Sequence, residues 1–494
     1  MKINFSIEIL RATGISLFVI LCTNIIFSSD SFPQANGMEG LVPSLEPTQH
    51  ISSNPNLYVS AENPLFKNYF AGPQVIEVSV SDPDINRLDQ AYGEPVVTIN
   101  GKRLRMAQAT DGNWYAYFAD RNQAIIAANT AAVTGKGLNF GAFCNPTSTF
   151  SPKTGVTYTE TDGFTLARGG FGSVNHTSAF TITSSNFGVC TNVQGILTTN
   201  QMEHVVRQNK TLNSNPLGFN ANSGTYPSVW PVIQLYDFSA IPSTVIVDYQ
   251  KNGGDQTVNL VFDRIPGNII KGVANRPDFP QGAQVQADLI DPQLNVDPTE
   301  EDSWTWGTST TNNTVFYQTF SRNGQPDADG TRGMQDLSGN LTTMMFNHNG
   351  RLTTIPRPQG VQVVEAQNNG IQKVFQDNNG KYRTSSISGA SGPITLLEIQ
   401  PNVGIFSDYD AGGIADLKIL DNAKRDTSFI AKYNDVSYSL VVKFHSAELT
   451  MGIPISHSTN IQNTGQVISS QMEEKPNFIS FLKGYVLKNL LLLF

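Results

Sequence analysis

Two short phrases each occur twice in this chain, and in the same order. Val80-Ser81-Asp82-Pro83-Asp84-Ile85-Asn86 returns as Leu289-Ile290-Asp291-Pro292-Gln293-Leu294-Asn295, an apolar approach followed by Asp-Pro-x-(Ile or Leu)-Asn. Later, Ser243–Tyr249 returns as Thr427–Tyr433, each time followed by a tight turn and an apolar strand ending at Phe262 or Phe444. Two echoes in register predict two homologous modules, at 75–265 and 270–446. A chain of 494 residues is too long for one ordinary core, so two modules also fit its length.

The local pattern inside each module has the period of strands. Val75–Val80 puts Ile76, Val78 and Val80 on one face. Pro95–Ile99, Asn100-Gly101 and Arg103–Met106 read as a hairpin, because Asn-Gly readily takes positive φ. Trp114–Phe118 carries aromatic residues on both faces, which predicts a central strand covered on both sides. Thr244–Tyr249 and Gln256–Phe262 flank Lys251-Asn252-Gly253-Gly254 as a further hairpin. Val315–Phe320, Val361–Glu365, Ile371–Phe375, Leu396–Ile399, Ser428–Tyr433 and Tyr438–Phe444 supply the second module. No long helix-period run occurs between 75 and 446; Gln123–Val133 is the best short helix candidate. The expected fold class is all-β, as tandem immunoglobulin-like β-sandwiches. Residues 130–240, rich in Thr, Ser, Asn and Gly, read as a long insertion in the first module or a small β domain of their own. Residues 32–74, broken by Pro33, Pro43, Pro47, Pro55 and Pro64, read as an extended leader able to dock as an edge strand.

The ends point to export. Lys2 and Arg11, the apolar run Ile15–Phe27 and then Ser28, Ser29 and Ser31 have the order of a signal peptide over 1–31. An uncleaved anchor is the alternative. Cys144 and Cys190 would remain in the mature chain and are expected as one disulfide tying the insertion, with two separate thiols as the alternative. Such a cross-link would contribute ~3–4 kcal/mol. Residues 447–494 read as a polar linker and an apolar tail, Phe478–Phe494, with two alternatives: a helix lying in a membrane interface, the one route to membrane contact, or a tail read out of frame after a truncation.

Charged residues are only 15% and the net charge is -9, which argues against a nucleic-acid partner. No nucleophile elbow, phosphate loop or His-Glu-x-x-His is present, so an enzyme is not expected. Four acidic runs with turn residues are the candidates for Ca²⁺, which takes six to eight hard oxygens. They are Asp82, Asp84, Asn86 and Asp89; Asp291, Asn295 and Asp297, with Glu300, Glu301 and Asp302 beyond; Asp327, Asp329 and Asp336; and Asp408, Asp410 and Asp416. The alternative is that Asp and Asn here make turns by bonding their own backbone. Asn175, Asn209, Asn312 and Asn340 head Asn-x-Ser/Thr sequons and are candidate glycan acceptors. Trp304 and Trp306 stand either in a core strand or exposed, where they would stack on sugars in an adhesion or glycan-binding module.

Tyr92–Gly101 and Ala109–Arg121, with Pro64-Leu65-Phe66-Lys67 before them and Leu289–Asp297 after, resemble the N-terminal region of surface-layer proteins of ammonia-oxidising archaea. The resemblance covers roughly residues 60–450. It implies a glycosylated, extracellular, immunoglobulin-like chain that assembles with copies of itself, beside other envelope proteins, into a porous Ca²⁺-dependent lattice. Family members are usually far longer than this chain.

Overall fold

The computed structural model describes residues 54–448 and 471–472, apart from 90–92, 131–136, 147–157, 167–189, 192–203, 208–209, 214–229, 275, 308–314, 319–333, 347–351, 367–370, 377–380, 387–392, 409–414, 435 and 444–446. The fold is all-β. The first module starts earlier than expected. β1 (Leu57–Val59) and β2 (Tyr69–Phe70) come from the segment expected as a leader, and β3 (Ile76–Val80) follows. β1 pairs antiparallel with β3, and β2 pairs in parallel with a strand near residue 261. These runs are too short to signal themselves, but Leu57, Val59, Phe66 and Phe70 are buried on a sheet that other residues build.

The module continues through β4 (Val96–Ile99), β5 (Lys102–Leu104), β6 (Ala107–Gln108), β7 (Trp114–Asp120) and α1 (Arg121–Thr130). The insertion gives β8 (Ala142–Cys144), β9 (Phe164–Leu166), β10 (Cys190–Thr191) and β11 (Val232–Tyr236); β12 (Ser243–Gln250) and β13 (Gln256–Phe262) close the module. One sheet runs β1-β3-β7-β11-β9-β8-β10 with β6 beside β7, and the other runs β2-β13-β12-β4-β5. The insertion is thus not a separate domain: β11 pairs in parallel with β7 and extends its sheet.

The turns form as their residues require. Asn100 and Gly101 take φ of 51° and 80°, pairing Ile99 with Lys102. Asp120 accepts the Gln123 N–H at 2.8 Å and so caps α1. In β12, Val245, Val247 and Tyr249 point inward while Thr244 and Ile246 face out.

The second module follows the same plan. It comprises β14 (Lys271–Ala274), β15 (Asp278–Phe279), β16 (Gln284–Val285), β17 (Ala287–Ile290), β18 (Ser303–Gly307), β19 (Val315–Gln318) and β20 (Met334–Asp336), then β21 (Leu352–Arg357), β22 (Val364–Ala366) and the hairpin β23 (Ile371–Gln376) with β24 (Lys381–Ser386). β25 (Pro393–Glu398), β26 (Ile405–Ser407), β27 (Leu417–Ile419), β28 (Ser428–Tyr433) and β29 (Val436–Val442) complete it. Its sheets run β14-β17-β26-β25-β18-β19-β20, β15-β29-β28-β21 and β16-β27-β22. Strand by strand, β14, β15, β17, β21, β26, β28 and β29 repeat the pairing of β1, β2, β3, β4, β7, β12 and β13. Even the short parallel pair recurs: Phe70 lies beside Phe262, and Phe279 beside Val442.

Two cores hold this together. One fills the first sandwich, from Val78, Trp114 and Phe118 to Val247 and Leu260. The other starts on the opposite face of the same eight-stranded sheet, at Tyr117 and Ile233, and runs on through Val75, Leu294 and Trp304 to Leu440. All seven residues of β7 are therefore buried, as its two aromatic faces predict.

Candidate functional site

The two echoes prove to be halves of one contact. Asp82, just past β3, accepts the Tyr249 hydroxyl at 2.7 Å. Asp291, just past β17, accepts the Tyr433 hydroxyl at 2.6 Å. In each module the bond fastens the end of one sheet to the other across the sandwich.

The surroundings of the two corners differ. Asp82 also meets the Lys251 ammonium at 2.7 Å and the Asp84 N–H at 3.0 Å. Burial pushes its carboxyl up, but Lys251 and Tyr249 outweigh that and hold it below the usual range. Among the described residues no cation pairs with Asp291, which also accepts from the Gln293 side chain and backbone N–H, at 2.7 and 3.1 Å. Burial dominates there and pushes its carboxyl up to about 6.

The second corner is covered because the first module docks on it. Gln74 Nε2 donates to the Pro292 and Asn295 carbonyls at 2.8 and 2.6 Å, and the Val75 N–H donates to Val296 O at 3.0 Å. Asn402, at φ 63°, donates its amide to Ser60 O at 2.7 Å. Gly404, at φ +65°, lets the chain pass close: a Cβ there would lie 2.9 Å from Pro292 Cα and 3.1 Å from Phe66.

A buried ionic cluster closes this joint. Arg207 comes from the insertion, on a segment tied to the first module by Thr110 N–H to Thr211 O and Asn213 N–H to Gln108 O, both 2.9 Å. Its guanidinium reaches Asp297 at 2.9 Å, Asp302 at 3.1 Å and Glu301 O at 2.9 Å, with all three charged side chains fully buried. The Tyr317 hydroxyl donates to Asp302 as well. Glu398 accepts the Val403, Gly404 and Asp302 N–H groups at 2.8, 2.7 and 3.1 Å. Burial pushes Asp302 up to about 7 against the pull of Arg207, and pushes Glu398 well above the carboxylate range with the Asp302 charge adding to it. Glu77 on β3, whose carboxylate accepts the Tyr117 hydroxyl at 2.9 Å, is also pushed up to about 7 by burial. Arranged this way, the cluster can lock two bodies and hold protons.

The acidic runs expected to bind Ca²⁺ serve mostly as internal structure. Asp82 is engaged as described, Asp84 is exposed, Asn86 donates to Asn113 at 2.7 Å, and Asp89 pairs with Arg87. Asp291, Asn295 and Asp297 belong to the joint, where Arg207 and Thr299 take the Asp297 oxygens. Asp336 accepts the Ser338 N–H at 3.0 Å. Asp408 accepts the Ala287 N–H, and Asp416 the Thr395 N–H. Turn and backbone bonding thus accounts for most of these side chains. Asp327, Asp329 and Asp410 lie outside the described residues. Among the described residues, no group of three or more His, Cys, Asp or Glu is placed to hold a metal ion.

Cys144 is disulfide-bonded, and the β8–β10 register sets Cys190 directly opposite it. Asn340 stands partly exposed in a turn, its N–H on Leu337 O at 2.9 Å; Asn175, Asn209 and Asn312 lie outside the described residues. So do the signal segment and the apolar tail. Trp304 and Trp306 are core residues, 0% and 1% exposed, so neither can stack on a sugar. Sequence reasoning missed Arg207 and Glu398. The one available sign was His204-Val205-Val206-Arg207, a charge behind an apolar pair in a stretch otherwise poor in charge. No protein-family model matches this chain, and no curated protein matches it either.

Proposed function

We propose that this chain is a structural subunit of an extracellular surface layer, built from immunoglobulin-like modules and assembling laterally with copies of itself, not an enzyme. The observation that carries the reading is the joint. Two modules of one plan are held as a single body by a continuous core and a buried ionic cluster. A lattice under tension needs that rigidity, whereas domains in contact through smaller polar interfaces move by default. The strand order supports the immunoglobulin-like part. Taking β1, β3 and β7 as A, B and E, and β2, β13, β12 and β4 as A′, G, F and C, the strand order of both modules supports that reading. The resemblance of 60–450 to archaeal surface-layer proteins supports the rest.

Negative-stain microscopy of the purified mature chain is the test. Ordered sheets are expected in Ca²⁺, dispersing when a chelator is added. A chain that stays monomeric over a wide Ca²⁺ range would sink the self-assembly reading.

A further inference from the structure

The joint holds more buried carboxyl groups than cations, and this imbalance has a consequence. Arg207 is its central cation. Facing it or each other are Asp297, Glu300 and Asp302 from the loop after β17, Tyr317 on β19 and Glu398 on β25. From the first module, Glu77 on β3 and Tyr117 on β7 approach, with Lys210 as a second, more distant cation. Asp302, just before β18, and Glu398, at the end of β25, are neighbours bonded both ways: the Glu398 N–H to Asp302 O at 2.9 Å, and the Asp302 N–H to the Glu398 carboxylate at 3.1 Å. Arg207 reaches Asp302, and among the described residues no cation pairs with Glu398. Two like charges buried side by side cannot both ionise freely.

We propose that the joint between the modules is a proton-gated hinge, closed while Glu398 or Asp302 carries a proton and loosened once both are ionised. Opening admits water to both groups and returns them to ordinary acidity, so the closed joint binds more protons than the open one. The closed state is therefore fully favoured in acid and loses ground as pH rises through the buried pair's range. The proposal concerns the fold itself and stands whether or not the chain forms a lattice.

Hydrogen exchange of the full mature chain tests it. After correction for intrinsic rates, protection of the Val75, Val296, Asp302 and Gly404 amides should fall as pH rises through about 7, approaching tenfold per pH unit for a one-proton linkage. Amides of the β12–β13 hairpin, such as Val247 and Leu260, should not follow. Glu398→Gln, which cannot ionise, should flatten the dependence. Equal pH dependence at joint and hairpin, or an unchanged slope in Glu398→Gln, would overturn the proposal. Should the variant fail to fold, infrared difference spectra of the wild type decide. A neutral-carboxyl C=O band must disappear over the same pH range, and its absence refutes the hinge.

Discussion

The corner at Asp82 and the corner at Asp291 are built from the same phrase and make the same bond to a tyrosine, yet they carry opposite electrostatics. At the first, Pro83 and Asp84 face solvent and Lys251 supplies a countercharge. At the second, Pro292 and Gln293 are buried beneath the first module, and among the described residues no lysine pairs with Asp291. The phrase at each corner is a sandwich fastener. What it costs or contributes is set by what lies on top of it. A carboxylate with a lysine at a wet edge stays ionised, and the same carboxylate under another module is pushed toward its neutral form.

The largest effect should come from removing the cover. Arg207→Met leaves Asp297 and Asp302 buried without their cation and should cost about 3–5 kcal/mol in urea unfolding. The modules should then unfold in two steps instead of one. A single transition at unchanged midpoint would mean that the joint contributes nothing.

The tyrosines compare the corners directly. Tyr433→Phe leaves a fully buried carboxyl group with the neutral Gln293 donors and should cost about 2 kcal/mol, whereas Tyr249→Phe leaves Lys251 on Asp82 and should cost about 1 kcal/mol. Equal losses would show that the cover does not matter.

The two corners should also respond to pH with opposite signs. Asp291 is raised from 3.8 to about 6, so its contribution is fully present below 3.8 and is lost as pH rises through about 6. Asp82 is lowered, so its contribution is present above 3.8 and is lost as pH falls through its depressed value. Carboxyl ¹³C titration of the labelled chain should find Asp291 near 6 and Asp82 below 3.8. The smallest change is expected from Lys251→Met. It should barely move Tm but should carry Asp82 upward, toward the behaviour of Asp291.

Much of this was legible residue by residue. Asn100-Gly101 turned where its chemistry required, and the paired aromatics of Trp114–Phe118 marked a strand buried on both faces. Other elements left no such trace. β21 contains Pro356, which argues against a strand, but β21 sits at the edge of its sheet, where a missing N–H donor is tolerated. β1 and β2 are too short for any period to show, and they exist because a formed sheet offers them partners. Composition does not sort the acidic runs, because alternating Asp and Asn both ligate cations and make turns.

By itself, the sequence determined the β-rich class of fold and marked, by repetition, the two phrases that meet at each corner. These depend on local periods and on a repeated phrase, and both are one-dimensional. Tertiary structure alone decided that Arg207 meets Asp297 and Asp302, residues 90 and 95 positions away, and that Asp291 is covered while Asp82 is not. Burial and countercharge depend on what other parts of the chain bring to a residue. Identical phrases therefore acquired different acidities, and a joint formed where the sequence showed only an insertion and an acidic loop.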